Sequence, residues 1–124
     1  MSSNGKIILV AQDLFFLPRV YNAAAPQGYE VMQAQTAGRF DDLYGEGRTA
    51  LVLVDLAGDT GEWHAVVERL SREAGRPKIV AFGNHADEES LAEAVALGCD
   101  SAVSNAELSR DIAKIVESLK QEAL

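Results

Sequence analysis

The stretch Ala50-Leu51-Val52-Leu53-Val54-Asp55 is an uncharged apolar run that ends on a carboxylate. A short run of this kind, rich in β-branched and aliphatic residues, predicts a strand buried on both faces of a parallel sheet. Open α/β sheets bind ligands just beyond the carboxyl ends of their strands. Asp55 therefore stands either at a site or at a loop-facing cap.

Comparable runs recur on both sides of it. Ile7-Ile8-Leu9-Val10-Ala11 predicts a first strand, Tyr29 to Ala34 a strand near an edge, Lys78 to Phe82 a fourth and Ala102-Val103 the centre of a short fifth. Helical patterns lie between them. Asp13 is placed to cap a helix carrying Leu14, Leu17, Tyr21 and Ala24 on one side, with Pro18 distorting its first turns and Pro26 and Gly28 ending it. Thr36 caps a short helix with Phe40, Leu43 and Tyr44, stopped by Gly45 and Gly47. Trp63, Val66, Val67 and Leu70 mark a third apolar stripe, closed by Gly75 and Pro77. Asp87 opens a helix with an acidic first turn, matching the helix dipole, in which Leu91, Ala94 and Val95 face inward and Gly98 ends the helix. Ser104-Asn105-Ala106-Glu107 fits a capping box before a last helix with Leu108, Ile112, Ile115, Val116 and Leu119 at helical spacing. Five strand–helix units in this order predict an α/β fold: a doubly wound, five-stranded parallel sheet with helices on both faces.

Composition narrows the function. At 124 residues the chain is expected to form one domain over 1–124. A net charge of −8 argues against a nucleic-acid surface, because phosphates are repelled. Cys99 is the only cysteine, which rules out an intramolecular disulfide and a cysteine-based zinc site within one chain. It is expected to be a small buried residue. No apolar run is long enough for a membrane span, and Met1-Ser2-Ser3-Asn4-Gly5-Lys6 has no leader pattern, so the expected location is the cytoplasm, with no membrane partner.

The loops at the carboxyl edge supply the candidate chemistry: Gln12 and Asp13, then Asp55, then Gly83-Asn84-His85, then Ser104-Asn105. The chain here resembles the receiver domains of bacterial response regulators, a flavodoxin-like fold of the CheY-like type. The resemblance spans nearly the whole length. It rests on Ile7 to Asp13, on Ala50-Leu51-Val52-Leu53-Val54-Asp55-Leu56, on Ile79-Val80-Ala81-Phe82-Gly83-Asn84-His85-Ala86-Asp87 and on Ala96-Leu97-Gly98-Cys99-Asp100-Ser101.

The resemblance implies a phosphoryl-transfer site and shows where this sequence departs from it. An active receiver holds Mg²⁺ on an acidic pair after the first strand. It takes the phosphoryl group on an Asp after the third, and contacts that group with a Ser/Thr after the fourth and a Lys after the fifth. Phosphoryl transfer builds negative charge beside a carboxylate, and the cations offset that charge. Asp55 matches the acceptor. The acidic pair falls on Ala11 and Gln12, with Asp13 one step late. The Ser/Thr position falls on Gly83 and the Lys position on Asn105. The aromatic expected near the fifth strand is Ala102. The resemblance thus implies a degenerate receiver with no cofactor. Mg²⁺ enters only if Asp13 shifts into the metal shell with Gln12 as a neutral ligand.

Simpler roles stand beside these. Asp13 fits a helix cap better than a metal ligand, and His85, a conceivable accessory to phosphoryl transfer, fits a solvated loop. His64 flanks the core beside Trp63, and one of Phe15 and Phe16 belongs to the core. Three functions follow. The first is a non-enzymatic binding module of a two-component or phosphorelay system. The chain ends soon after the last helix, so its output is expected to pass through a protein partner. The second is a working phosphoacceptor at Asp55, lacking a cation whose loss costs about 3 kcal/mol of transition-state stabilisation. The third is a small flavodoxin-like ligand-binding protein or enzyme. It is disfavoured because Ala11-Gln12-Asp13-Leu14 is no phosphate-cradling glycine loop and Gly58-Asp59-Thr60-Gly61 has no Walker spacing.

Overall fold

Strand and helix alternate along the whole of the computed structural model, which describes residues 4–122. Met1–Ser3 of the segment read above for a leader lie outside the described residues. The strands are β1 (Lys6–Val10), β2 (Glu30–Ala34), β3 (Thr49–Asp55), β4 (Lys78–Gly83) and β5 (Ser101–Ser104). The helices are α1 (Leu17–Ala24), α2 (Ala37–Tyr44), α3 (Thr60–Ser71), α4 (Glu88–Leu97) and α5 (Asn105–Glu122), with a 3₁₀ turn at Ala25–Gln27. All pairings are parallel and the order is β2-β1-β3-β4-β5. The apolar run that opened the sequence is the central strand, and β2 lies at an edge, as its mixed pattern predicts.

Side chains alternate across β1, β3 and β4, so one strand feeds two cores. Ile8, Val10, Val52, Val54, Ile79 and Ala81 pack with Phe40, Trp63, Val66, Val67 and Leu70 under α2, α3 and α4. Ile7, Leu9, Leu51, Leu53, Val80 and Phe82 pack with Phe16, Val20, Leu108, Ile112 and Val116 under α1 and α5. Cys99 is buried with the first set. Caps close the helices where local chemistry predicts. The Thr36 hydroxyl accepts from the Arg39 N–H, Asp87 accepts from the Ser90 N–H, and Ser104 and Glu107 accept reciprocally.

Helix α1 departs from expectation. Asp13 does not cap it; its Oδ1 accepts from the Phe15 N–H at 3.0 Å and holds a bend. The helix starts at Leu17 with Phe16 at the cap position. Proline is the reason. A helix begun at Leu14 would put the Pro18 ring against the Leu14 carbonyl, whereas in the first turn no N–H is needed. The buried face is consequently Phe16, Val20 and Ala24, while Leu14 and Tyr21 are exposed. On α4, Ala94 is buried and Leu91 half-buried, but Val95 is 49% exposed rather than inward-facing.

The foot of the sheet, away from Asp55, is tied by charge. Arg76 forks onto Asp100 at 2.9 and 3.2 Å, and Asp100 also accepts from the Ile79 N–H at 2.8 Å. Buried Lys6 donates to the Glu46 carbonyl just past α2. Among the described residues no helix is long and apolar enough to cross a membrane.

Candidate functional site

Parallel pairing brings β1, β3 and β4 to a common carboxyl edge: Val10 pairs with Val54, and Asp55 with Phe82. Asp55 is the last residue of β3 and only 6% exposed. Its Oδ1 accepts from the Ala57 N–H at 2.9 Å. Burial pushes its pKa above the ordinary carboxylate value, the Ala57 N–H opposes that, and the nearby Asp13 carboxylate adds to it. Asp55 thus sits in a low-dielectric pocket near a like charge.

A small cavity beside Asp55 is lined by Ala11, Gln12, Gln35, Gly58 and Trp63, among others, and has a volume of about 10 Å³. That is the scale of one water molecule. The Gln12 side chain lies against Gly58: a Cβ there would stand 3.5 Å from the Gln12 Cγ. Ala11 is buried and offers no side-chain donor or acceptor.

Residues not singled out in the sequence hold this edge. Gln33 donates to the Ala11 and Asp13 carbonyls at 2.9 and 2.7 Å, and Gln35 donates to the Gln12 carbonyl at 2.8 Å. Two amides at the end of an edge strand therefore clasp the loop that would present metal ligands. Their i, i+2 spacing, which puts both on one face, was the available signal. The Glu62 carboxylate, which lines the same cavity, accepts from the Ala37 N–H at 2.6 Å and so starts α2. His64 of α3 meets Glu93 of α4, a pairing that neither local sequence reveals.

The other half of the edge is separate. Gly83 ends β4 and borders a second cavity of about 80 Å³ with Leu56, Ala57, Asn84, Asp87, Ser90 and Leu91. A Cβ on Gly83 would meet the Leu56 Cβ at 3.3 Å. Leu56 thus fills the space that a side chain at position 83 would enter. Asn105 begins α5, and its Oδ1 is buried without a protein donor. His85 is exposed in the loop after β4, and neither His85 nor Asn105 lines either of these two cavities. Ala11, Gln12 and Asp55 therefore line one cavity, while Gly83 borders the other on the next strand, beside Leu56. Among the described residues, no three or more His, Cys, Asp or Glu side chains form a group that could hold a metal ion.

The fold is similar to that of several solved structures. The receiver domain of the TMAO respiratory system response regulator TorR matches with a TM-score of 0.82 over 95% of this chain and 98% of that one, at 15% identity. The chain has the receiver fold. A response regulator from Thermotoga maritima matches at 0.77 over 93% and 96%, with 16% identity. The receiver domain of NtrX from Brucella abortus matches at 0.76 over 91% and 96%, also with 16% identity. No protein-family model matches the sequence. No curated protein matches it either. Receiver likeness at such identities carries the fold and leaves the chemistry to the residues of the site.

Proposed function

We propose that this chain acts as a receiver-like unit over 1–124, a protein-binding module of a two-component or phosphorelay system that works without Mg²⁺-dependent phosphorylation of Asp55. The observation that carries this reading is the state of Asp55. It is buried, its carboxylate accepts from the Ala57 N–H, and burial raises its pKa. Phosphoryl transfer to it would add charge next to a cavity of about 10 Å³, whose lining has no Lys or Arg. The hydroxyl position is a glycine beneath Leu56, and the ammonium position is a neutral amide.

The donor set does not suit Mg²⁺. The ion needs near-octahedral oxygen ligation, preferably anionic. Ala11 offers no side-chain oxygen, Gln12 offers only a neutral amide oxygen, and the Asp13 carboxylate accepts from the Phe15 N–H. Without a switch that distinguishes two states, an event at Asp55 has no differential energy with which to move a remote face. The chain then binds its protein partner constitutively, without enzymatic activity and in the cytoplasm. A surface of net −8 disfavours nucleic acid, and no membrane partner is expected.

A second reading has one observation in its favour: Asp13 lies close enough to Asp55 for its charge to raise the Asp55 pKa. Two carboxylates could share a cation and make Asp55 a working acceptor, with His85 as an accessory. An amide NMR titration with Mg²⁺ and then beryllofluoride separates the two. The binding-module reading expects no saturable shifts at millimolar Mg²⁺. It also expects Asp55→Ala to keep the affinity for a protein partner, recovered by pull-down with the wild-type chain and then titrated, within about 0.5 kcal/mol. Asp55-dependent shifts that spread to α4 and β5, or a tenfold change in affinity after phosphodonor treatment, would establish the second reading instead.

A further inference from the structure

Of the four asparagines in the chain, Asn4 is the one followed by glycine. That neighbour matters chemically. The Cγ of an asparagine can be attacked by the backbone nitrogen of the next residue, and glycine, having no Cβ, leaves the approach open. The fold favours glycine at this position. Gly5 has a φ of +115°, which residues with side chains rarely adopt, and a Cβ on it would stand 3.3 Å from the Arg48 carbonyl oxygen.

Asn4 in turn ties three segments together. Its N–H donates to the Gly28 carbonyl at 2.8 Å, its Nδ2 donates to the Gln27 carbonyl at 2.8 Å, and its own carbonyl accepts from Arg48 at 2.9 Å. Gly28 makes room for the amide: a Cβ there would lie 2.8 Å from the Asn4 Nδ2. The three bonds clasp the chain ahead of β1 to the turn after α1 and to the loop before β3. Gly5 is buried under this clasp, whereas Asn4 and Arg48 are exposed. Bonds among exposed groups open locally at far less than the cost of global unfolding.

We propose that Asn4 is a site of spontaneous deamidation in the folded protein, gated by the opening of this clasp. While the clasp is closed, the leaving nitrogen, Nδ2, is held on the Gln27 carbonyl. Once it opens, the Gly5 nitrogen forms a bond to the Asn4 Cγ and the Cγ–Nδ2 bond breaks. Nδ2 departs as ammonia, taking the proton of the Gly5 N–H. The result is a five-membered succinimide. Water then adds to one of its two carbonyl carbons. Ring opening leaves aspartate at position 4, or isoaspartate, in which the backbone runs through the former side-chain carbonyl. Water is the only co-reactant, and nothing is oxidised or reduced.

Both products disable the clasp. A carboxylate in place of the amide sets an acceptor against the Gln27 carbonyl oxygen, where a donor stood, and adds negative charge to a chain of net −8. Isoaspartate also lengthens the backbone by one methylene directly before β1. There the Gly5 carbonyl accepts from the Glu30 N–H at 3.1 Å and the Lys6 N–H donates to the Arg48 carbonyl at 2.9 Å. Deamidation is therefore a one-way loosening of the start of β1.

Incubation of the purified full chain in warm, mildly alkaline buffer, followed by peptide mapping with mass spectrometry, tests the proposal. Asn4 should convert ahead of Asn22, Asn84 and Asn105, with aspartate and isoaspartate both appearing at position 4. In guanidinium chloride, where the clasp is gone, conversion should run at least about tenfold faster. Arg48→Ala removes one of the three bonds at an exposed side chain and should speed conversion in the folded chain about twofold to tenfold. Gly28→Ala, which pushes the Asn4 amide aside, should act in the same direction. Amide spectra check that both variants fold. An Asn4 that stays intact in the folded chain, or that converts after Asn84, overturns the proposal. So does a rate that is the same in the folded chain, in guanidinium chloride and in the variants.

Discussion

Leu56 packs onto Gly83, so that a Cβ added to Gly83 would stand 3.3 Å from the Leu56 Cβ and 3.5 Å from its Cδ1. The two residues sit at the carboxyl ends of adjacent strands, and the Leu56 N–H donates to the Phe82 carbonyl at 2.9 Å. Gly83 is therefore more than a position without a hydroxyl. A side chain at position 83 would require Leu56 to give by a few tenths of an ångström.

Gly83→Ser consequently crowds the Leu56 side chain, although Gly83 also borders the cavity of about 80 Å³. It is expected to cost about 1–3 kcal/mol, the usual range for overpacking. Leu56→Ala leaves a cavity and costs stability by itself. In the double variant the serine occupies space that the leucine has left. Its total cost should fall short of the sum of the singles by more than about 0.5 kcal/mol. Urea denaturation of the four proteins measures this coupling, and strictly additive costs would refute the contact.

Asp55→Asn should stabilise the protein at neutral pH. Burial holds the folded-state pKa above the ordinary 3.8, so the folded protein binds this proton more tightly than the unfolded chain does. The favourable contribution is complete below the unfolded pKa and is lost as pH rises through the folded one. At pH 7 the carboxylate is ionised in an unfavourable setting, whereas asparagine is neutral and its oxygen can still accept from the Ala57 N–H. The stability gap between variant and wild type should open from about pH 4 upwards and be small below it. A destabilised Asp55→Asn at pH 7 would reveal an ionic partner for Asp55.

Asp100 has the opposite sign. Burial works against its ionisation, but the Arg76 fork, the Ile79 N–H and the Arg76 and Lys78 charges outweigh it and hold the pKa below the ordinary value. Its contribution is present above the unfolded pKa and is lost as pH falls through the folded one. Asp100→Ala leaves the Ile79 N–H without its acceptor and should cost about 1–2 kcal/mol at pH 7, towards the low end because the pair is partly exposed. Thermal melts should show this penalty shrinking at acid pH; a penalty independent of pH would mean that the ionised carboxylate contributes nothing.

Val52→Ala removes two methyl groups from the fully buried centre of β3 and should cost about 2 kcal/mol in transfer and cavity terms. Equilibrium unfolding measures it. A cost near zero would mean that the neighbours Ile8 and Ile79 collapse into the space.

Strands β1, β3 and β4 are legible because a strand buried on both faces must be largely apolar along its length, and that demand is written in consecutive residues; β2 and β5, only partly buried, carry a weaker signal. Thr36, Asp87 and Ser104 were legible as caps for a similar reason: donor and acceptor lie three residues apart. The start of α1 is legible in principle, since Pro18 alone bars a helix from beginning at Leu14; Asp13 has the residue type of a cap but holds a bend before the helix instead. Val95 was misplaced because helical spacing defines a face only to within a residue, and packing against α3 and β5 decides which residue turns out.

By itself the sequence determined the α/β alternation and the position of Asp55 at the end of the central strand, and it puts residues without a carboxylate, hydroxyl or ammonium group at Ala11, Gly83 and Asn105. These follow from residue type and short-range order. Only the tertiary structure decided that Gln33 and Gln35 clasp the loop after β1, that Leu56 fills the space over Gly83, that Arg76 forks onto Asp100 and that His64 meets Glu93. Each of those pairs is distant in sequence. Which side chains meet is set by strand register and helix packing, and a one-residue slip in either would have paired different groups.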